Sequence, residues 1–329
     1  MKFLVMEGPK STIIKDIPDV KPKDDELLIK NKYVGVCMSE HHAWATAKKG
    51  EAFGHEPMGH IVEVGKNVKG FSVGDRVSGR WGNSLPGGGG MAEFAIATPN
   101  DIVVKIPENI RDEDAVLEPL ACIMSAVSKA RISLPGTRVC VVGTGYMGSG
   151  SIGLLKLRGA HVTAVDIRPE SLACAKKYGA DEIYTPAEAE AKFVDPNDPC
   201  NPIGFDIVFE WGETNESLDL AIRLTNMCGQ LCVGAYHTGG KRLVDMQMLN
   251  VKAAECLSVH PREDDLFRQS TIHVAELLSS GAWNYTNIPT KIYPRNKFDL
   301  AHEELETKYG KYIKSLIDMT WDDGKPYIV

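Results

Sequence analysis

From residue 137 onward, apolar strand-like runs alternate with helical segments. The run "TRVCVVG" is followed by the helical stretch "YMGSGSIGLLKLRG". The apolar runs "HVTAVDI", "FDIVFEW" and "GQLCVGAY" recur further along, with helical segments between them. Continuous apolar runs are typical of parallel strands that are covered on both faces. The alternation therefore predicts an α/β fold with a doubly wound parallel sheet.

A glycine pattern follows the first of these strands directly. Gly143, Gly145 and Gly148 have GxGxxG spacing where the strand passes into a helix. The first glycine makes a tight turn, the second lets the backbone approach a pyrophosphate, and the third allows close packing of helix on strand. This context favours a dinucleotide site over a glycine turn that binds nothing. The predicted contact residues at the turn are Gly143, Gly145, Tyr146, Met147 and Gly148.

A carboxylate ends the second strand of this predicted sheet. Asp166 lies 18 residues past Gly148, where an acidic side chain can bind the ribose hydroxyls. Such a carboxylate would repel a ribose phosphate, so NAD is favoured over NADP. Arg168 could stack on the adenine or pair with a phosphate. Gly234, at the end of a later strand, could let the nicotinamide approach the backbone.

The first 110 residues or so have a different pattern, with short alternating strands and turns. Stretches such as "ELLIKNKYVGVC" and "AEFAIATPNDIVVKIP" are rich in valine and isoleucine, and "GKNVKG" and "SVGD" indicate turns. A short helical stretch around "LEPLACIMSAVSKA" leads into the second half. The tail from about residue 285 returns to short strands and one helix.

Potential metal ligands are crowded into residues 37–60, "CMSEHHAWATAKKGEAFGHEPMGH". Cys37 ends one strand-like run, and His55 with Glu56 precedes the next. Zinc accepts thiolate, imidazole and carboxylate ligands, and a catalytic site keeps one coordination position open. These residue types alone fit a zinc site and a buried thiol beside a turn histidine equally well.

The stretch "GHEPMGHIVEVGKNVKGFSVGDRV", with GxGxxG about ninety residues further on, resembles the zinc-dependent medium-chain dehydrogenase/reductase family. "LEPL" is similar to the sorbitol and threonine dehydrogenase branch of its alcohol and polyol dehydrogenases. The resemblance implies a GroES-like β-barrel catalytic domain, formed by residues 1–120 and 286–329. It implies a Rossmann dinucleotide-binding domain over residues 121–285.

The resemblance also implies roles for individual residues. Cys37, His55 and Glu56 match the zinc-binding residues of the family, and Glu56 is also counted among the catalytic residues. Glu118 would be an additional ligand or would hydrogen-bond the zinc-bound water, and Cys122 is an alternative ligand. A proton relay would be formed by Ser39 and His42.

Some residues depart from the family pattern or have no role in it. Glu40 and His41 match no family role, and we expect them to face solvent or the rim of the site. The family's structural zinc loop is replaced by "GRWGNSLPGGGG", so we expect one catalytic zinc per subunit.

The resemblance implies hydride transfer between NAD(H) and a secondary alcohol or ketone, with a polyol, sugar or cyclitol as the favoured substrate. Two alternatives remain at this point. A zinc-free NAD(P)H-dependent reductase would lack the cysteine and the histidine–glutamate pair, both of which this chain has. A non-catalytic metal- and nucleotide-binding protein would have no need of the Ser39–His42 relay. Relatives are usually dimers or tetramers, so a homodimer or homotetramer is expected.

Composition excludes some other classes. The net charge of −7 and the isoelectric point near 5.8 do not favour nucleic-acid or anionic membrane surfaces as partners. No secretory signal or membrane-spanning run is recognisable, and a cytoplasmic location is expected. The scattered cysteines do not form a disulfide pattern; Cys140, Cys228 and Cys232 are predicted to be core thiols.

Overall fold

A computed structural model describes residues 1–82, 90–198, 200, 203–307 and 311–329 of the 329-residue chain. Most of the stretch that replaces the family's structural zinc loop falls in residues 83–89, outside the described residues. The expectation of one zinc per subunit therefore stays a prediction.

The described residues form both strands and helices. The strands are β1 (Lys2–Gly8), β2 (Ser11–Asp16), β3 (Leu27–Gly35), β4 (Pro57–Val64), β5 (Arg76–Arg80), β6 (Phe94–Ala97), β7 (Ile102–Lys105), β8 (Arg138–Val142), β9 (His161–Val165), β10 (Glu182–Tyr184), β11 (Phe205–Glu210), β12 (Thr225–Val233), β13 (Glu255–Ser258), β14 (Thr290–Pro294), β15 (Lys314–Asp318) and β16 (Tyr327–Ile328). The α-helices are α1 (Met38–Thr46), α2 (Leu117–Ser128), α3 (Tyr146–Leu157), α4 (Pro169–Lys177), α5 (Pro186–Phe193), α6 (Asn215–Leu224), α7 (Met246–Val251), α8 (Asp264–Ser280) and α9 (Phe298–Thr307). Short 3-10 helices occupy Asp112–Asp114 and Arg295–Lys297.

The chain forms two compact units. Unit 1 comprises Met1–Pro119, Thr271–Ser279 and Thr286–Val329. Unit 2 comprises Leu120–Ser270 and Ser280–Tyr285.

Unit 1 is built on a mostly antiparallel sheet. Among the described residues this sheet has eight strands in the order β16-β14-β15-β3-β4-β5-β7, with β6 also paired to β3. Strand β3 pairs with both β4 and β15, so segments distant in the sequence meet on either side of it. Leu27, Ile29 and Ile61 alternate with more exposed residues and pack with Val77 and Trp81 in one core cluster.

Unit 2 contains a parallel sheet in the order β10-β9-β8-β11-β12-β13. The strand order reverses between β8 and β11, and ligands of such sheets bind beyond the carboxyl ends of the strands at this switch point. Cys140, Phe205, Val208, Leu218 and Leu231 lie in the core between the sheet and its helices. The predicted doubly wound sheet is confirmed.

The structure departs from the sequence pattern at two places. Residues Met38–Thr46 form helix α1, which the sequence pattern did not indicate, because only Glu40 and Trp44 are buried along it. Cys140 and Cys232 are buried as predicted, but the prediction for Cys228 was wrong. Cys228 is exposed and has a left-handed backbone, with φ of 54°. Over the described residues, every helix is too short or too polar to be a membrane span.

A buried lysine caps the end of helix α6. Lys252 is 0% exposed, and its Nζ donates to the carbonyl oxygens of Ile222, Arg223 and Thr225 at 2.8, 2.8 and 2.9 Å. These carbonyls lie at the last helical turn, where intrahelical donors are missing and the helix dipole favours a cation. Burial lowers the pKa of Lys252 to about 8.

We predict that Lys252→Met lowers the free energy of unfolding by about 3 kcal/mol, because three buried carbonyls lose a charged donor. Urea denaturation followed by circular dichroism measures this change. The exposed Lys241, replaced in the same way, is the matched control. If Lys252→Met lowered the free energy of unfolding by no more than Lys241→Met does, the capping role of Lys252 would be contradicted.

Candidate metal centre and nucleotide site

Three potential metal ligands converge in unit 1. One donor atom from each of Cys37, His55 and Glu56 lies within 4.8 Å of the other two. Cys37 follows β3 and precedes α1, while His55 and Glu56 precede β4. The antiparallel pairing of β3 with β4 brings these segments together, and the Gly35 amide donates to the Glu56 carbonyl at 2.9 Å.

His55 is oriented by a buried carboxylate. Its Nδ1 lies 2.8 Å from Glu40 Oε1, which also accepts from the Gly54 amide at 2.8 Å. Because Nδ1 is engaged, Nε2 is left for the cluster, as is usual for histidine ligands with a carboxylate partner. The expectation that Glu40 faces solvent or the rim was wrong: Glu40 is 8% exposed.

The His55–Glu40 contact is strongly electrostatic. Burial opposes charge on His55, but the negative charge of Glu40 and the hydrogen bonds that His55 donates to Cys37 and Glu40 outweigh it and raise the pKa of His55 well above its usual value. Burial likewise opposes charge on Glu40, but His55 holds the pKa of this carboxyl below its usual value. A metal ion that binds His55 must therefore displace a proton.

Glu56 forms a buried ion pair with Lys314 of β15. Glu56 is 1% exposed, and a Cβ on Gly35 would lie 1.8 Å from its Oε2, so only glycine at position 35 leaves room for the carboxylate. Burial opposes charge on Lys314, but Glu56, Cys37 and Glu118 together raise its pKa. Nothing in the sequence pattern indicated Lys314 as part of the site.

The donor set fits a zinc ion. It offers one thiolate, one imidazole and carboxylate oxygen, which are the ligand types that zinc prefers. Three potential anions, Cys37, Glu56 and Glu118, act on the buried cation Lys314. An excess of buried negative charge of this kind is stabilised by a divalent cation.

Glu118 and Cys122 were the other two predicted ligands. Glu118 is buried in the first turn of α2, and its charge acts on Lys314. Within the described residues, neither Glu118 nor Cys122 belongs to the group of donors that lie within 4.8 Å of one another. Direct ligation by Glu118 therefore stays a prediction.

The predicted relay residues lie on helix α1. Ser39 Oγ donates to Cys37 Sγ at 3.2 Å, which places this hydroxyl beside the cluster. His42 is exposed one turn further along the helix. His41 is half-buried, and its ring packs 5.4 Å from that of Trp44 and 6.1 Å from that of His302, so its position at the rim stays a prediction.

The glycine turn in unit 2 has the geometry that its spacing predicts. Gly143 has a left-handed φ of 85°, and a Cβ on Gly148 would lie 2.0 Å from the Gly143 carbonyl oxygen. Gly145 directly precedes helix α3. The space beside it is open, because the nearest atom to a Cβ built on Gly145 would be a guanidinium nitrogen of Arg168, 3.7 Å away. Space beside a helix N-terminus fits a pyrophosphate.

Tyr146 and Met147 are the first two residues of α3. The Tyr146 carbonyl accepts from the Tyr285 hydroxyl at 2.6 Å, and the two rings lie 5.5 Å apart. Met147 is half-buried. The start of α3 is thereby fixed to its surroundings in unit 2.

Asp166 directly follows β9 and contacts this turn. Its Oδ2 accepts from the Thr144 amide at 2.6 Å, and its Oδ1 accepts from the Arg168 amide at 2.8 Å. Oδ2 also accepts from the Thr144 hydroxyl at 3.4 Å, whereas Oδ1 keeps a second lone pair as acceptor capacity for a ribose hydroxyl. The Nε atom of Arg168 lies 3.9 Å from Oδ1 of Asp166.

Gly234 has a structural explanation of its own. A Cβ at this position would lie 2.6 Å from the indole ring of Trp211, so the glycine makes room for this ring. His237 nearby pairs with the buried Glu210, with 2.8 Å between Nε2 and Oε2. The glycine at position 234 is therefore not by itself a sign of a nicotinamide contact.

Two family models match the chain. The alcohol dehydrogenase GroES-like domain matches residues 23–108, and the zinc-binding dehydrogenase domain matches residues 147–273. Together they cover more than half of the chain.

Individual proteins are similar over nearly the full length. The chain is 30% identical to D-arabitol-phosphate dehydrogenase of Enterococcus avium, covering 94% of this chain and 92% of that protein. It is 29% identical to the probable D-xylulose reductase A of Aspergillus fumigatus, covering 95% of each.

The fold is also found in a solved structure of a thermostable alcohol dehydrogenase from Pyrobaculum aerophilum. The TM-score is 0.79 at 22% identity, and the match covers 97% of this chain and 99% of that one. From these matches, the protein belongs to the zinc-dependent medium-chain alcohol and polyol dehydrogenase family, oxidoreductases that act on CH–OH groups with zinc and NAD(P).

Proposed function

We propose that the protein transfers a hydride between NAD(H) and a secondary alcohol or ketone of a polyol, sugar or cyclitol. The observation that carries this proposal is the convergence of Cys37, His55 and Glu56 in one partly buried cluster. The names of the two relatives, a xylulose reductase and an arabitol-phosphate dehydrogenase, support a hydroxyl-rich substrate.

Cys37, His55 and Glu56 would hold the zinc ion, with Glu118 as an additional ligand or a hydrogen-bonding neighbour. A zinc ion bound there supplies Lewis acidity, which lowers the pKa of an alcohol toward neutrality. Glu40 holds the His55 ring through Nδ1, so the ligand is oriented before the metal binds. Lys314 limits the negative charge of the metal-free cluster.

Ser39 and His42 would transfer the proton of the substrate hydroxyl to solvent. Ser39 Oγ, beside Cys37, would accept the proton of the substrate hydroxyl while its own hydroxyl proton, which points to Cys37 Sγ in the metal-free cluster, is passed on toward His42. His42 is exposed, so its imidazole would exchange the proton with solvent.

The glycine turn of unit 2 would bind the pyrophosphate, and Asp166 would bind the ribose hydroxyls. The carboxylate of Asp166 supports NAD over NADP. Arg168 would face the adenine side of the nucleotide, and Gly234 would lie on the nicotinamide side. We assign the catalytic role to unit 1 and nucleotide binding to unit 2.

Two broader expectations belong to the same proposal. A cytoplasmic location is supported by eight free cysteines, because thiols persist in reducing compartments. A homodimer or homotetramer is expected from the family resemblance.

We predict turnover when the zinc-loaded protein is incubated with NAD and a panel of polyols, sugars and cyclitols. The absorbance of NADH reports the reaction, and the panel includes primary alcohols and is repeated with NADP. Preference for secondary polyol alcohols with NAD is the expected result. Activity confined to primary alcohols, or to NADP, would contradict the substrate or the cofactor assignment respectively.

We predict that Cys37→Ser lowers zinc content and dehydrogenase activity together, because the thiolate ligand is lost. NAD affinity stays unchanged, since the nucleotide residues lie in unit 2. Metal analysis and calorimetric NAD titration measure the two effects. Cys122→Ser is the matched control and keeps its zinc; full zinc occupancy in Cys37→Ser would remove Cys37 from the site.

We predict opposite effects of Lys314→Met on the metal-free and zinc-bound states. The metal-free protein loses about 3 kcal/mol of unfolding free energy, because Glu56 is left as an unpaired buried charge. Zinc affinity rises about tenfold or more, because a nearby positive charge is removed.

Thermal unfolding with and without zinc, together with competition against a chromophoric chelator, tests both effects of Lys314→Met. The control is Lys32→Met, which removes a more exposed ion pair. In that pair, Lys32 Nζ lies 2.7 Å from Asp318 Oδ2. A fall in zinc affinity for Lys314→Met would show that Lys314 is needed to orient Glu56.

A further inference from the structure

Three buried polar atoms near the metal cluster lack partners. Among the described residues, Glu40 Oε2 and both ring nitrogens of His302 have no hydrogen-bond partner. His302 is 0% exposed and Glu40 is 8% exposed. A buried polar atom without a hydrogen-bond partner is destabilising, so such atoms commonly mark a position of ordered water.

The ring of His302 is held by aromatic neighbours. His302 lies on α9, stacked on Trp44 with 5.2 Å between ring centroids and 17° between planes. The ring of Phe298 lies 4.6 Å away. These contacts fix the plane of the imidazole and leave its polar edge without a protein partner.

Glu40 and His302 are close enough to interact electrostatically. Burial lowers the pKa of His302 to about 4, so at neutral pH the ring has one N–H donor and one acceptor nitrogen. The Glu40 carboxylate has one oxygen engaged by His55 and Gly54, and its second oxygen remains an acceptor. Glu40 lies one helical turn before Trp44, the residue on which His302 stacks, so an acceptor and a donor without partners among the described residues lie near each other.

We propose that a buried water joins the His302 N–H to Glu40 Oε2, and that His302 is a positioning residue for the metal site. The resulting chain runs from His302 through the water and Glu40 to His55. It fixes the rotation of the Glu40 carboxylate and thereby the ring of the ligand His55. The inference rests on the proposed zinc site of Cys37, His55 and Glu56.

The purely structural alternative predicts a different behaviour. A histidine that only fills space between Trp44 and Phe298 would be replaced by phenylalanine without loss, since an aromatic ring would occupy the same place and no polar atom would be buried unsatisfied. A histidine that positions Glu40 would instead lower zinc affinity when replaced by phenylalanine, because phenylalanine cannot donate a hydrogen bond to the water.

The test compares zinc affinity and metal-free stability in His302→Phe. Competition with a chromophoric chelator gives the affinity, and the cobalt-substituted protein gives the absorption spectrum of the ligand field. We expect zinc affinity to fall about tenfold, in the range of outer-shell substitutions at zinc sites, with a changed cobalt spectrum. We expect the melting temperature of the metal-free protein to stay unchanged or to rise.

Further variants separate positioning from packing. His302→Gln keeps an amide donor and recovers most of the affinity. In a Glu40→Gln background, His302→Phe has no additional effect on zinc affinity, because the chain is already broken. The exposed His273, replaced by phenylalanine, is the matched control.

The outcomes are distinguishable. Wild-type affinity in His302→Phe, or an equal effect of this change with and without Glu40→Gln, would overturn the inference. If His302→Phe does not fold, a crystal structure of the wild-type protein shows whether a water lies between His302 and Glu40 Oε2. Water density within hydrogen-bond distance of both atoms supports the proposal, and its absence overturns it. Failure of the wild-type protein to bind zinc would instead contradict the proposed function.

Discussion

The buried ion pair between Glu56 and Lys314 is the contact around which the candidate metal centre is arranged. A carboxylate at 1% exposure beside a thiol would be strongly destabilising without a cation to face it. Lys314 provides that cation in the absence of metal. The pairing of β15 with β3 brings it there, since Leu316 lies opposite Gly35. The backbone of β3 thus has two functions: Gly35 leaves space for the carboxylate, and the strand holds the lysine next to it.

Residues of helix α1 support the predicted ligands from one side. Glu40 binds His55, and Trp44, one turn further along the helix, donates from its indole nitrogen to Asp299 of α9 at 2.7 Å. Helix α1 therefore connects the metal cluster to α9 by polar contacts and by aromatic packing. A catalytic metal needs ligands whose orientation is fixed in advance, and this arrangement supplies that rigidity with few polar groups.

Much of the fold and part of the site could be predicted from the sequence. The parallel strands and the glycine turn were recognisable because their signals are local: a continuous apolar run, a fixed spacing and an acidic residue after the next strand. Cys37, His55 and Glu56 were predicted as metal ligands through family resemblance, since their spacing alone left a non-metal interpretation open, and the structure brings their donor atoms together. Glu40 was misjudged because helix α1 buries only two residues and has little amphipathic pattern. Lys314 and His302 could not be predicted, because only tertiary pairing places them near residues so distant in the sequence.

The sequence separation between Glu56 and Lys314 has a consequence for the order of assembly. The two residues are 258 positions apart, and all of unit 2 is encoded between them. Closing so long a flexible loop is entropically costly, and the cost falls when the intervening chain is already compact. Domains generally fold as units, so the chain between the two residues can become compact within unit 2. Formation of the Glu56–Lys314 pair therefore costs less entropy once unit 2 is folded, whereas the pairing of β3 with β4 that brings Cys37 to His55 closes only a short loop.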